Sequence, residues 1–259
     1  MYASVDLRGA EARLQHIRAH HGCPAPVVVG GVGGSGTRLV VQLLCDLGVA
    51  MGMHCNAAGD AMPFVPVYEN HINAYLRGRL LPEDFANALL EAIKAHRGNN
   101  GASAIWGWKN PRSIYLLPLL DAIFKDMVFI HVVRDGMAMA TSANQAQLTK
   151  HGPYLIPEHL RSLPAAERSL LLWSIVNGAA ADYGQHMHKR YLRLRYEDIC
   201  DDPSAALAGI ASMLGVNHGG PCSVKIEPIR KRDPNTRLPG TSGAGGIARA
   251  ALQRFGYPC

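Results

Sequence analysis

Apolar and polar positions along the chain alternate between two periods. Leu7 to His20 reads as a short amphipathic helix. Pro26 to Val29 enters an apolar strand, which a glycine-rich run from Gly30 to Gly36 interrupts. From Thr37 to Leu47, the residues Leu39, Val40, Leu43, Leu44 and Leu47 form a stripe of helical period, which predicts a helix. Asn56 to Pro66 is rich in Gly, Pro and small residues and reads as a loop. Pro82 to His96 predicts a helix, with proline near its start and Gly98 beyond its end. A short strand over Ala104 to Trp108 precedes a helix over Pro111 to Phe124. Met127 to Val133 has the make-up of a central parallel strand covered on both faces. Helices then follow over Gly136 to Leu148 and Ala165 to Tyr183, and a strand over Tyr191 to Tyr196. A last helix runs from Pro203 to Leu214 and ends at Gly215. Gly219 to Gly246 shifts to Pro, Gly and basic residues and reads as a long loop.

Strands alternating with helices, without a linker between them, predict a single α/β domain over residues 1–259. Its central sheet is expected to be mostly parallel, with helices on both faces. Hydrophobic residues at 48% and charged residues at 18% exclude a disordered chain. No stretch of about 18 consecutive apolar residues occurs, so a membrane-spanning helix is not expected. The N-terminal segment carries Asp6, Arg8, Glu11, Arg13 and Arg18, and lacks the apolar core of a signal peptide. The six cysteines form no C-x-x-C pair, which points to reduced thiols and a cytoplasmic setting. A net charge of +6 suggests an anionic partner, although mild basicity alone decides little.

The glycine run reads Gly30-Gly31-Val32-Gly33-Gly34-Ser35-Gly36-Thr37-Arg38. Between a strand and a helix, such a loop offers backbone amides to phosphate oxygens. A triphosphate-binding loop needs G-x-x-x-x-G-K-[ST]. Gly31 and Gly36 have that spacing, but Thr37 stands where the lysine should be, and Arg38 cannot ligate Mg²⁺. A dinucleotide fingerprint is spelled by Gly31, Gly33 and Gly36. The following Val49 to His54 lacks the acidic residue that would hold the ribose.

The third reading is a resemblance. Ser35-Gly36-Thr37 after a Val-rich strand resembles the 5'-phosphosulfate loop of sulfotransferases that use 3'-phosphoadenosine 5'-phosphosulfate (PAPS). That family often has Lys or Arg before S-G-T, where this chain has Gly34; Arg38 could supply the cation or be an ordinary solvated residue. Arg134, at the end of the buried strand, and Ser142, eight residues on, match the R-x7-S spacing with which the family grips the 3'-phosphate. Tyr196-Glu197-Asp198, followed by Asp202-Pro203, is similar to the family's Y-E-D segment. There Tyr196 would lie by the adenine, with core packing as the plain alternative. The resemblance covers about residues 26 to 215 and rests on three motifs in order. It implies a P-loop-like nucleotide-binding fold and metal-independent sulfuryl transfer to a hydroxyl acceptor, with adenosine 3',5'-bisphosphate (PAP) as product.

Within that resemblance, Gly33, Gly34, Ser35, Gly36, Thr37 and Arg38 would hold the 5' end of the donor. Trp106-Gly107-Trp108-Lys109-Asn110-Pro111-Arg112 resembles the K-x-P element of the tyrosylprotein and carbohydrate branches. Lys109 would stabilise charge on the bridging oxygen as it leaves. The family's K-T-H histidine is missing, since Arg112 falls near its place. Candidates for the base are Asp60 first, His54 second and Glu69 third, although Asp60 could equally cap a helix and His54 be a buried histidine. Arg237, in the late basic loop with Arg230-Lys231-Arg232, is carried over loosely to the 3'-phosphate; a solvated charge run is the alternative. His186-Met187-His188 falls at a helix end and does not suggest a metal site. Acceptor specificity is expected in 55–80, 145–164 and the C-terminal loop. The rival function is a P-loop phosphotransferase using ATP and Mg²⁺. A basic adaptor for nucleic acid lacks the aromatic interleaving such proteins show.

Overall fold

The computed structural model describes residues 1–2, 6–7, 10, 25–97, 105–226 and 243–258. Four parallel strands form its sheet in the order β2-β1-β3-β4: β1 (Val27–Gly31), β2 (Gly107–Lys109), β3 (Val128–Val133) and β4 (Tyr191–Arg195). Because side chains alternate along a strand, β1 and β3 feed two separate cores. Val28, Phe129 and Val133 face one side, and Val27, Val29, Ile130 and Val132 face the other. The second side is covered by α1 (Thr37–Asp46) through Leu39, Val40, Leu43 and Leu44, and by α9 (Pro203–Leu214) through Leu207 and Ile210. The first is covered by α2 (Val65–Leu76), α3 (Pro82–Arg97), α4 (Leu117–Ile123), α5 (Gly136–Ala140), α6 (Ala146–Leu155), α7 (Ala165–Met187) and α10 (Gly243–Arg254). The short α8 (Tyr196–Asp201) follows β4 directly. This is the single α/β domain that the pattern predicted, with helices on both faces of the sheet.

Four elements differ from the sequence reading. The helix expected over Pro111 to Phe124 begins as a 3-10 turn, Pro111–Leu116, and becomes α-helical only in α4. Pro118 disfavours one continuous α-helix there, because it has no amide to donate to residue 114. The helix expected over Gly136 to Leu148 is two, α5 and α6. Gln145 Nε2 donates to the carbonyls of Met139 at 3.2 Å and Ser142 at 2.8 Å, satisfying the end of α5 from outside it. The loop read over Asn56 to Pro66 ends in a 3-10 turn, Met62–Phe64, and runs into α2, whose first turn accommodates Pro66. The loop read over Gly219 to Gly246 overlaps the start of α10, whose Ala244, Ala248, Ala251 and Leu252 pack into the core. The helix expected over 7–20 (Leu7 and Ala10 apart), Ala104, the basic run at 230–232 and Arg237 lie outside the described residues. No described helix is long and apolar enough to cross a membrane.

Candidate active site

The site forms where β1, β2 and β3 end. Gly31 leaves β1 in register with Val132, so closely that a Cβ there would lie 2.6 Å from the Val132 carbonyl oxygen and from Ser35 Oγ. The turn that follows reaches α1 through Gly36, at φ 85°, a left-handed conformation costly to any residue with a Cβ. No side chain caps α1 and no acidic residue occupies its first turn. Its amides therefore point into the turn with the positive end of the helix dipole behind them. Ser35 is buried, and its Oγ has no hydrogen-bonding partner among the described residues. A buried hydroxyl in that state costs about 1–3 kcal/mol until a ligand oxygen satisfies it. Thr37 is buried beside it, whereas Arg38 is exposed on the first turn of α1.

Arg134 leaves β3 and turns back over the loop. Its guanidinium donates to the Gly34 carbonyl at 3.3 Å and stacks 4.6 Å from the Tyr196 ring. That ring rests against Gly36, where a Cβ would be 2.0 Å from Tyr196 Cδ2. Burial raises the Tyr196 phenol above its ordinary value. Trp173 Nε1 donates to the Arg134 carbonyl at 3.0 Å, so α7 fixes the strand exit. Asp135 caps α5 through the Met137 amide at 2.9 Å. Its own amide donates to Glu197 Oε1 at 3.1 Å, and Tyr257 OH donates to Glu197 Oε2 at 2.7 Å. The second and third motifs are thus joined through Glu197, a role the sequence did not reveal. Ser142 lies past α5, half-buried, and its Oγ accepts from the Asn144 amide at 3.2 Å.

Lys109 ends β2 opposite Val29 and is only 3% exposed. Its ammonium donates to Asp60 Oδ1 at 2.6 Å and to the Ala58 carbonyl at 2.8 Å. Burial holds its pKa below the ordinary lysine value, against the pull of Asp60 and with a smaller push from Arg38. Asp60 is held in turn by Asn56. The Asn56 amide group donates to Asp60 Oδ2 at 3.1 Å, and Asn56 Oδ1 accepts from the Asp60 amide at 2.9 Å. Asp60 therefore sits in an ion pair with Lys109. Glu69 bridges Lys150 at 2.8 Å and Arg112 at 3.4 Å, and Lys150 above all holds its carboxyl low. His54 is exposed, and its ring is not part of the cavity beside the loop. Both tryptophans of the Lys109 segment are buried at the sheet edge, Trp108 stacked on Phe64 at 4.4 Å.

That cavity has a volume of about 240 Å³ and opens between Gly33, Asp60, Asn110, Arg112 and α6. From α6 come Gln147, Lys150 and His151, none of them singled out by the sequence. Gln147 packs on Gly33 and accepts from Tyr115 OH at 2.9 Å. The only signal that could have found Gln147 and His151 was their i, i+4 spacing on a helix that sequence reading placed wrongly.

The fold and the site first define a class: an open parallel α/β sheet with a glycine turn feeding a helix N-terminus at the carboxyl ends of its central strands, where such folds bind ligands. The model of the Sulfotransferase family matches residues 26–219, and the chain belongs to that family. Among solved structures, the sulfotransferase domain from the curacin biosynthetic pathway is 11% identical with a TM-score of 0.53, the match covering 91% of this chain and 99% of that one. The sulfotransferase domain of the Synechococcus PCC 7002 olefin synthase is 16% identical with a TM-score of 0.47, over 92% of this chain and 96% of that one. Sulfotransferase STF1 from Mycobacterium tuberculosis H37Rv is 18% identical with a TM-score of 0.46, over 97% of this chain and 79% of that one. No curated protein matches the sequence.

Proposed function

We propose that this chain moves a sulfuryl group from PAPS to an acceptor hydroxyl, without a metal ion. The observation that carries the reading is the cradle at the start of α1: an uncapped helix, an orphaned buried Ser35 hydroxyl, and no Walker lysine. The donor supplies an activated S–O bond next to a phosphate. Gly33, Gly34, Ser35, Gly36, Thr37 and Arg38 would surround its 5' end through amides and hydroxyls. Arg134 and Ser142 would take the 3'-phosphate, with Tyr196 beside the adenine and Arg237 as a further cation. Lys109, pre-positioned by Asp60 and desolvated, would stabilise charge growing on the leaving oxygen, where a fixed cation counts most. In this arrangement the Asp60 carboxylate serves the lysine first. Its second oxygen accepts from the Asn56 amide group, which holds the carboxylate in place against the lysine.

Titration calorimetry with PAP and with ADP, each with and without Mg²⁺, tests the assignment. The expected result is metal-independent binding of the bisphosphate. Preference for ADP with Mg²⁺ would replace sulfuryl transfer by phosphoryl transfer. Arg134→Ala should weaken bisphosphate binding by about 2–3 kcal/mol through lost charge-assisted bonds, and unchanged affinity would remove Arg134 from the donor site.

A further inference from the structure

One group in the cavity beside the loop has no part in holding the donor: the imidazole of His151. It is 2% exposed and lies on α6, one turn beyond Gln147. Its Nδ1 is 2.7 Å from Asn73 Oδ1, while the Asn73 amide nitrogen donates to the Lys150 carbonyl at 3.2 Å. The second bond fixes which end of the Asn73 amide is oxygen. Nδ1 must therefore carry the hydrogen, and Nε2 is the lone-pair nitrogen of a neutral ring. That Nε2 is buried and has no hydrogen-bonding partner among the described residues. The ring is braced at 4.7 Å by Tyr115, whose hydroxyl is committed to Gln147.

The rest of the lining says what could meet it. The lining carries both signs of charge: Glu69 bridges Arg112 and Lys150, and Asp60 is paired with Lys109 behind it. Asn110, Asn144 and Gln147 add amides, and no aromatic ring other than His151 itself is in the lining. A small polar cavity lined by side-chain amides and paired charges, dense in hydrogen-bonding groups, suits a molecule that carries several hydroxyls better than a flat phenol. Building on the sulfuryl-transfer reading, we propose that this cavity seats a neutral polyhydroxylated acceptor, a sugar or polyol, and that His151 Nε2 receives its reacting hydroxyl. Asn73 is the positioning residue that selects the tautomer.

In the step this implies, the acceptor oxygen bonds to sulfur as the bond from sulfur to the bridging oxygen breaks. The electron pair of that bond stays on the 5'-phosphate of the departing PAP. The hydroxyl proton passes to Nε2 and then to water. Burial first, then the charges of Arg112 and Lys150, hold the imidazole down to about 4, so the ring is neutral at physiological pH and its Nε2 lone pair is unprotonated. The groups facing it are Asn73 from α2, Arg112 and Tyr115 from the 3-10 turn, and Gln147 and Lys150 from α6; Asp60 and Glu69 lie in the same cavity lining.

The test uses the full chain labelled with ¹⁵N-histidine and saturated with PAP, exposed to glucose, glycerol or p-nitrophenol. Turnover of PAPS with each probe is followed in parallel by release of the bisphosphate. Glucose or glycerol is expected to move the His151 Nε2 resonance and to support turnover. His151→Ala should then lower turnover by about 100-fold or more with bisphosphate affinity unchanged, and His151→Gln replaces it if the alanine variant does not fold. Asn73→Ala should lower kcat by about tenfold, whereas Asn73→Asp keeps the acceptor oxygen and restores most of it. The added negative charge of Asn73→Asp should also move the acidic limb of the pH profile upward, which a merely structural role would not do. Transfer to p-nitrophenol alone, a His151 resonance that neither glucose nor glycerol moves, or a His151→Ala variant of wild-type turnover would each overturn the proposal. A wild-type protein that binds no bisphosphate would instead overturn the sulfuryl-transfer reading, and this proposal with it.

Discussion

Gly36→Ala probes the loop most directly, because the structure separates two costs at one position. The first is backbone strain. At φ 85° a residue with a Cβ costs about 1 kcal/mol or somewhat more relative to glycine. The second is steric. The new Cβ would stand 2.0 Å from Tyr196 Cδ2 and 2.4 Å from Cε2, where ordinary carbon contacts are about 3.5–4.0 Å. The ring must retreat, and it carries the Arg134 guanidinium 4.6 Å away with it. Overpacking of this kind costs about 1–3 kcal/mol. The combined loss of about 2–4 kcal/mol corresponds, at an unfolding entropy of about 2.1 cal/mol/K per residue, to a fall in Tm of about 4–8 °C. Urea unfolding of the wild type, Gly36→Ala, Tyr196→Ala and the double variant divides the two costs. Removing the ring should relieve the steric part and leave the strain, giving a coupling energy of about 1–3 kcal/mol between the sites. A coupling under about 0.5 kcal/mol would refute the contact between Tyr196 and the loop on which the site is built.

Further predictions concern charge. Lys109→Met should lower sulfuryl-transfer turnover by about 100-fold or more while leaving bisphosphate binding largely intact, measured by steady-state kinetics and calorimetry. Because burial lowers the Lys109 pKa, wild-type activity should fall on the alkaline side below the ordinary lysine value, and this limb should be missing in the residual activity of the variant. His131, fully buried on β3, bonds Tyr191 OH at 2.6 Å and Asn177 Oδ1 at 2.8 Å, and burial lowers its pKa to about 4. Between pH 4 and 6.5 the unfolded chain binds this proton and the folded one does not, so stability is complete above 6.5 and lost toward 4. The loss should be about 3 kcal/mol by urea unfolding, and His131→Gln should flatten that slope.

Local chemistry was legible in the sequence wherever neighbouring residues do the work together. The apolar run of β3, the glycine turn between β1 and α1, and the stripe of Leu39, Val40, Leu43 and Leu44 each follow from periods that a chain must obey to bury its own backbone. Arg134, Tyr196 and Lys109 could be picked out because the segments around them resemble sulfotransferase motifs, and all three stand at the carboxyl ends of parallel strands, where such folds present side chains. Segments 55–80 and 145–164, expected to meet the acceptor, contribute Asp60, Glu69, Gln147, Lys150 and His151 to the cavity.

What only the tertiary structure decided depends on pairs far apart in the chain. Asp60 meets Lys109 across 49 residues, and His151 finds Asn73 across 78. Glu197 joins Asp135 to Tyr257. No local period encodes these partners, because each contact forms only after the sheet has set the strand ends side by side. The same holds for the break between α5 and α6, where a single Gln145 side chain satisfies the carbonyls that a longer helix would have used. A sequence states which groups are present and which faces they occupy. The packing of those faces determines which lone pairs end up answered and which, like Ser35 Oγ and His151 Nε2, are left without a partner among the described residues.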